Sequence, residues 1–250
     1  MCGRFVSSTP VSVLAERFLV AEVTAAERGP RYNVAPSDEV LAVASSRGTR
    51  RLGTLSWGLV PHWASGPAAR RRLVNLRSET LAARPGFRTV LVRRRCIVPA
   101  DGFYEWRRAP VGGTKQAFLV RARDGAPLAM AGLWDVWADP DAQGADRLRT
   151  CAVLTTAPND VVAAVHDRMP AILPEADWDD WLDPAVDDAD HLSALLRPFD
   201  PQELELVPVG PAVNSVRNDG PELTRRVAPV ESPIAPSLLG NPLVPEGGIG

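Results

Sequence analysis

The stretch RCIVPADGFYEW, residues 95–106, predicts a strand, a turn and a second strand. Outward from it, strands are predicted at residues 39–44, 51–57, 150–156 and 203–208, and residues 117–123 and 128–137 predict a hairpin about Asp124-Gly125. Many short strands with short helices between them indicate an α+β fold. We therefore predict a single domain with a curled, barrel-like antiparallel β core and flanking short helices.

The ends of this domain follow from the same pattern. Thr9-Pro10 provides an N-cap and a first helical residue for a helix through about Val20, with Leu19 on its apolar face. After residue 228 the chain is rich in Pro and Gly and has no periodicity. We expect a domain over residues 1–228 and a disordered tail over residues 229–250.

Composition restricts the class of protein. Of the 250 residues, 45% are hydrophobic and 23% are charged, as in a soluble globular protein. The apolar runs are too short for a membrane span and the first residues lack a signal-peptide pattern, so we expect a cytoplasmic protein. Three Cys without CxxC spacing suit a reducing compartment, and three scattered His predict neither a metal site nor a cofactor.

Charge is distributed unevenly along the chain. Residues 1–108 contain 18 Arg against 8 acidic residues, a balance of +10, whereas residues 109–250 have a balance of −12. Nearly all of the basic residues are Arg, whose planar guanidinium binds phosphate in a forked geometry. The first part of the chain therefore predicts a face that binds a polyanion.

The N-terminal sequence MCGRF, residues 1–5, offers an unusual nucleophile. Removal of Met1 would leave Cys2 with an α-amine and a thiol on adjacent carbons, with unperturbed pKa values of about 7.7–8.0 and about 8.5. Such a pair could attack an amide as N-terminal nucleophile hydrolases do. Alternatively, the amine could condense with an aldehyde to a Schiff base that the thiol closes into a thiazolidine.

Three other residues could take part in proton transfer or positioning. Glu105 lies between two aromatic residues, and burial there would raise the pKa of its carboxyl towards neutrality. His166 lies where a short helix is predicted to end, and Asn75 could orient an amine or a thiol by hydrogen bonding. Each could equally be structural: a strand-end Glu, a core or capping His, and a turn Asn.

A second group of residues suits nucleic-acid binding. Arg77 and Arg168 are candidate phosphate ligands, and Trp57, Trp63 and Trp106 could stack on unpaired bases. Because a Trp is more often a core residue, we expect only one or two of them to face a ligand.

Taken together, these motifs resemble the SOS-response-associated peptidase (SRAP) family, which includes abasic-site-processing proteins. The matching stretches are MCGRF (residues 1–5), YNVAP (32–36), WGLVPHW (57–63), NLRSET (75–80), RCIVPADGFYEW (95–106) and HDRMP (166–170). Leu76 departs from the usual Ala of the family but touches no proposed role.

The resemblance implies a monomeric protein that binds single-stranded DNA and crosslinks itself to abasic sites in the nucleoid. Replication or repair proteins would be possible partners. The implied catalytic residues are Cys2, Asn75, Glu105 and His166. The implied DNA-binding residues are Arg4, Asn33, Arg77, Trp106 and Arg168.

Three functions remain to be compared. The first is a DNA-damage protein that forms a thiazolidine with the ring-opened aldehyde of an abasic site. The second is a thiol peptidase that acts through Cys2, and the third is a non-covalent reader of modified bases. The aldehyde suits an N-terminal aminothiol and the basic half suits DNA, so the first function is our prediction, with lyase activity as an extension of it.

Overall fold

The computed structural model describes residues 2–66, 71–107, 115–138 and 147–229. Apart from Pro229, the predicted tail lies outside the described residues. In the described part, no helix has the length and apolar character needed to cross a membrane.

Thirteen strands and five α-helices are described, joined by short 3-10 turns. The strands are β1 (Phe5–Ser7), β2 (Glu22–Val23), β3 (Arg31–Val34), β4 (Glu39–Ser46), β5 (Thr49–Trp57), β6 (Asn75–Arg77), β7 (Arg95–Ala100), β8 (Gly102–Arg107), β9 (Gln116–Ala122), β10 (Leu128–Ala138), β11 (Arg147–Thr156), β12 (Met169–Pro170) and β13 (Leu204–Val209). The helices are α1 (Val11–Arg17), α2 (Pro85–Arg93), α3 (Asp160–Ala163), α4 (Trp178–Leu182) and α5 (Ala189–Ala194).

Five strands close into a barrel. Their order is β11, β10, β7, β4 and β5, each antiparallel to the next. A parallel pairing of β5 with β11 then completes the ring, with Trp57 opposite Cys151. The short strands β6 and β12 also pair with β11, while β2 extends the barrel from β5. The predicted α+β class with a barrel-like core is confirmed, and the closing parallel pair is the one departure from an all-antiparallel ring.

The second sheet is antiparallel and has the order β13, β9, β8, β1 and β3. The chain crosses from the barrel to this sheet between β7 and β8, at Asp101. The Asp101 carboxylate accepts hydrogen bonds from the backbone N–H groups of Ser8 and Thr9, at 2.5 and 3.0 Å. One side chain at the crossing therefore fixes the chain segment that leads from β1 into α1.

The predicted hairpin of residues 117–137 is wrong. Gly125 does adopt a positive φ of 77°, so the chain turns where the sequence indicates. However, β9 pairs with β8 and β13, whereas β10 pairs with β7 and β11. The turn passes the chain from one sheet to the other, where each strand is mostly buried and has a hydrogen-bonded partner on both edges.

The barrel residues face two ways with the two-residue period of a strand. One face packs against the helices, with Phe18, Leu91 and Trp181 in its core. The other face joins the second sheet in a core that contains Cys2, Phe5 and Trp57.

Helix α1 is shorter than predicted and ends at Arg17 instead of Val20. Leu19 has a φ of 50° and is 74% exposed, so it does not belong to the apolar face of the helix. The helix stops because Phe18 already reaches the core beside Trp178, with ring centroids 4.6 Å apart. The chain then reverses to place β2 against β5.

The β4–β5 hairpin generates a stability prediction. Its turn residues Arg47 and Gly48 both have positive φ, 52° and 75°, as in a type I′ turn. A side chain with an ordinary Cβ is disfavoured there by about 1–2 kcal/mol, whereas Asn tolerates the conformation. We expect Arg47→Asn to raise the free energy of unfolding by about 1 kcal/mol, measured by urea denaturation.

Ser46→Asn, one residue earlier in the strand, is the matched control and should bring no gain, because Asn is unfavourable in a strand. An Arg47→Asn protein no more stable than wild type would show that the turn is not strained.

Candidate functional site

Cys2 lies at the junction between the barrel and the second sheet. It is buried, with a relative exposure of 0%. The Nδ2 group of Asn75, on β6, donates a hydrogen bond of 2.8 Å to the Cys2 carbonyl oxygen. On the other side, the backbone N–H of Tyr104 donates to the Arg4 carbonyl oxygen at 2.9 Å. The start of the chain is therefore held from both parts of the fold.

The Cys2 thiol is poorly ionised in this environment. Burial raises its pKa well above the ordinary value, and the charge of Glu105 raises it further. The unperturbed thiol pKa of about 8.5 therefore does not describe Cys2 in the folded protein. A thiolate costs too much free energy in a buried site, so sulfur has to lose its proton as it reacts.

Glu105 lies on β8 and is 2% exposed. Burial raises the pKa of its carboxyl to about 7, while the positive charge of the chain's amino terminus acts against this rise. The predicted raised pKa of Glu105 thus has the physical cause that the sequence suggested. Near neutral pH the carboxyl populates both protonation states, as proton transfer in both directions requires.

His166 faces the Glu105 carboxyl across a gap. Its Nε2 atom lies 3.9 Å from Glu105 Oε2. The Nδ1 atom accepts the backbone N–H of Arg168 at 2.9 Å, which places the proton of a neutral ring on Nε2. The Asp167 carboxylate also lies 3.0 Å from Nδ1, a contact that only a protonated ring would favour. Because Asp167 is 88% exposed, the backbone hydrogen bond is the stronger determinant of the tautomer.

Asn75 also carries a hydrogen-bond acceptor beside Cys2. Its Oδ1 atom is buried and makes no hydrogen bond within the described residues. A buried acceptor without a partner costs about 1–3 kcal/mol. This oxygen, next to Cys2, is therefore positioned to accept a hydrogen bond from an amine or a substrate hydroxyl.

The structure brings the four predicted catalytic residues together, although they lie far apart in the sequence. Asn75 contacts Cys2, His166 faces Glu105, and the charge of Glu105 is felt at the Cys2 thiol. In the described part of the chain, no group of three or more His, Cys, Asp or Glu side chains could hold a metal ion.

Two of the predicted DNA-binding residues hold a loop. The Asn33 side chain is buried, and its Nδ2 group donates to the carbonyl oxygens of Ser215 and Asn218, both at 2.9 Å. Arg4 donates to Asn33 Oδ1 at 2.9 Å and to the Val213 carbonyl at 3.1 Å. Asn33 therefore positions the loop of residues 213–219, and its contact with DNA stays a prediction that this arrangement does not favour.

The other three predicted DNA-binding residues differ in availability. Arg77 is exposed on β6, next to Asn75. Arg168 is already paired with Glu79 through two hydrogen bonds of 2.5 and 2.9 Å. Trp106 is half-buried, and its indole N–H donates to Asn214 Oδ1 at 2.7 Å. Of the three, Arg77 is the most accessible for a phosphate.

The other two tryptophans that were predicted to stack on bases, Trp57 and Trp63, differ in exposure. Trp57 is fully buried and donates its indole N–H to the Val74 carbonyl at 3.0 Å, so it is a core residue. Trp63 is 44% exposed and packs edge-on against Phe87, with ring centroids 5.5 Å apart.

The sequence did not predict the carboxylate partners of the candidate DNA-binding residues Arg168 and Asn33. Glu79 lies within the NLRSET motif (residues 75–80), but nothing in that motif indicates that its carboxylate pairs with Arg168. Asp219 accepts the backbone N–H of Asn33 at 2.8 Å and also pairs with Arg31. These carboxylates act across 89 and 188 residues of sequence, and no local signal could have found them.

Comparison with known proteins finds similar chains along most of the sequence. The family model described as SOS response associated peptidase (SRAP) matches residues 1–216. The abasic site processing protein YoqW of Bacillus subtilis (strain 168) is 39% identical over 224 residues, which cover 89% of this chain and 98% of that protein. The abasic site processing protein HMCES of Gallus gallus is 32% identical over 227 residues, covering 77% of this chain and 65% of that protein.

A solved structure has the same fold. A crystal structure of a protein from Bacteroides thetaiotaomicron superposes with a TM-score of 0.79 at 26% sequence identity, covering 91% of this chain and 100% of that one. Since the family model spans most of the chain and YoqW is 39% identical along nearly its full length, the chain belongs to the SOS response associated peptidase (SRAP) family.

Proposed function

We propose that this protein acts at abasic sites in single-stranded DNA and forms a thiazolidine crosslink through Cys2 after loss of Met1. The observation that carries the proposal is the meeting of the buried Cys2 and Glu105 with the half-buried Asn75 and His166. The names of its relatives, abasic site processing proteins, support a role at the same lesion.

The first step is opening of the abasic sugar, which is mostly a closed hemiacetal. The Glu105 carboxylate removes the proton of the anomeric hydroxyl and delivers it to the ring oxygen as the ring C–O bond breaks, while His166 Nε2–H donates a hydrogen bond to that oxygen. The His166 Nε2 and Glu105 Oε2 atoms lie 3.9 Å apart, close enough for both groups to contact one sugar. The products are an aldehyde and a ring-opened hydroxyl.

The second step joins protein and DNA. The Cys2 amine adds to the aldehyde carbon, and loss of one water leaves an imine. The Cys2 sulfur then adds to the imine carbon, the thiol proton passes to the imine nitrogen, and the five-membered ring closes. Because burial keeps the thiol neutral, the amine reacts first and sulfur second. The Oδ1 atom of Asn75 can orient the amine during the attack.

The DNA path passes Arg77 and Trp106 at the edge of this site. Arg77 supplies an accessible guanidinium for a phosphate, and Trp106 offers an aromatic surface fixed by Asn214. Arg168 would bind a phosphate only if that phosphate replaced the Glu79 carboxylate. Arg4 and Asn33 support this path through the loop that they hold.

Peptidase activity through the same Cys2 is the alternative that the family name suggests. The thiolate is the form that attacks an amide, and the raised pKa of the thiol makes it scarce. An aldehyde, in contrast, is attacked first by the amine. The buried thiol therefore favours the crosslink over proteolysis.

Replacement of Cys2 tests the covalent step. We expect Cys2→Ala to abolish an adduct that survives denaturing electrophoresis with an abasic oligonucleotide, because no thiol closes the ring. Affinity for the same strand should be retained, since phosphate contacts dominate it. Cys151→Ala, another buried cysteine, is the control and should keep the adduct. Equal crosslinking by Cys2→Ala and wild type would refute the mechanism.

Glu105→Gln tests proton transfer. Because burial raises the pKa of Glu105 to about 7, its carboxylate form increases as the pH rises through 7. Above pH 7 the variant should form adduct more slowly by about 10²–10⁴-fold. The difference should shrink at lower pH, where wild-type Glu105 is protonated. Single-turnover crosslinking across pH measures this, and equal rates at every pH would make Glu105 purely structural.

Stability provides a control for the same variant. Unfolded Glu105 loses its proton at about pH 4.3 and the folded group only at about 7. The folded protein then holds more protons between these values, so the free energy of unfolding should fall as pH rises through this window. Glu105→Gln should lack this component of the slope while remaining folded.

The salt dependence of binding tests the DNA path. Arg77→Gln should lower the slope of log affinity against log salt by about 0.7, the share of one phosphate on a single strand. Arg168→Gln should lower it less, because Glu79 already neutralises that charge, and Glu79→Gln should tighten binding. Arg225→Gln, an exposed arginine elsewhere, is the control. An unchanged slope for Arg77→Gln would move the DNA path away from β6.

A further inference from the structure

We infer that the opposite end of the barrel carries a second ligand site, which binds the phosphate and base of a nucleotide. A cavity of about 670 Å³ opens where the β4–β5 hairpin, β10 and β11 come together. This volume lies within the range of small-molecule sites. Cys2 lies towards the other end of β5, where Phe5 packs on Trp57 with ring centroids 5.0 Å apart.

Four arginines line this cavity: Arg47, Arg51, Arg93 and Arg149. None of the described residues that line it is acidic. In a protein with a net charge of −2, such a concave arginine cluster concentrates positive potential. Guanidinium groups bind phosphate oxygens through paired, charge-assisted hydrogen bonds. The cavity therefore favours an anion, and phosphate is the anion that best fits its guanidinium groups.

The four arginines are not held equally by the protein. Arg47 and Arg149 are exposed and make no ion pair within the described residues. Arg51 pairs with Glu22 at 2.9 Å and Arg93 approaches Asp187 only to 4.0 Å, and the side chains of these two arginines are 46% and 61% exposed. Exposed pairs of this kind contribute about 0–1 kcal/mol, so a phosphate can displace them.

The inner wall supplies a second kind of contact. Trp134, Leu55 and Val136 line the cavity and are each only partly buried. Hydroxyl groups of Ser45 and Thr54 lie at the same cavity and can donate hydrogen bonds. An indole and two aliphatic side chains below a rim of guanidinium groups suit a flat base attached to a phosphate. An acidic peptide would use the rim but not the wall.

The conformation of Arg47 is consistent with this role. A type I′ turn favours Asn or Gly at its position, yet the chain has an arginine at φ 52°. Strain of this kind is retained where a side chain has a function. The turn holds the Arg47 guanidinium at the mouth of the cavity, and the lost stability is the cost of that charge.

The site is separate from the Cys2 chemistry, and one experiment tests it without that chemistry. The probe is an undamaged single strand of about 16 nucleotides, an upper site size for single-strand-binding folds, with iododeoxyuridine for photocrosslinking. The variant is Arg47→Asn with Arg149→Gln, in which the first change should stabilise the fold. The control is Arg123→Gln with Arg225→Gln, two exposed arginines outside this cavity.

We expect wild type and control to crosslink at Trp134, and the variant to lose that crosslink. The salt slope of the variant should fall by about 1.4, two phosphates' share, relative to the control. Adduct formation with an abasic trinucleotide, too short to reach both ends of the barrel, should be unchanged in the variant. If the proposed Cys2 mechanism were wrong, wild type would form no adduct with the abasic trinucleotide but would still crosslink to the undamaged strand at Trp134.

Competition identifies the source of the nucleotide. Deoxyadenosine monophosphate that suppresses the Trp134 crosslink supports a free-nucleotide site, and suppression only by an unlabelled strand supports a site for the strand itself. Suppression by a glutamate peptide of equal charge would overturn the inference, as would a variant that matches the control in both crosslink and slope.

Discussion

The hydrogen bonds that Asn75 and Tyr104 donate to the carbonyl oxygens of Cys2 and Arg4 anchor the first residues of the chain between the barrel and the second sheet. A chain terminus is ordinarily frayed. Here Cys2 and Phe5 are buried, and the aromatic contact of Phe5 with Trp57 joins β1 to the barrel. The groups that would act with Cys2 come from the barrel and from the second sheet. Insertion of the first residues at the junction therefore brings the site together.

Burial at this junction raises the pKa of two acidic groups, the Cys2 thiol and the Glu105 carboxyl. Both Cys2 and Glu105 are neutral acids whose charged forms lose solvation there, so both pKa values rise. For the carboxyl, the rise to about 7 creates a group that exchanges protons at neutral pH. For the thiol, it removes the reactive thiolate. A reaction that begins at the amine and needs sulfur only in its last step uses both effects, whereas a reaction that begins with thiolate uses neither.

The sequence predicted what depends on local pattern and missed what depends on distant pairing. Strands such as β4 and β5 follow from residues next to one another. The partners of β9 and β10 do not, because a turn signal marks where a chain reverses but not which sheet it enters. Likewise, the motifs supplied the candidate catalytic residues, while the burial of the Cys2 thiol depends on strands from the rest of the chain.

The uneven charge of the chain has the same kind of explanation. Many arginines of the basic half are used inside the fold: Arg95 is buried and donates to the carbonyl oxygens of Asp183 and Val186, and Arg31 and Arg50 pair with Asp219 and Asp179. The two halves therefore neutralise one another by folding together, and a count of charges overestimates the polyanion-binding surface. What remains for a ligand is the smaller set of arginines that no carboxylate holds firmly. Among them are Arg77, beside the Cys2 site, and Arg47 and Arg149, around the β4–β5 hairpin.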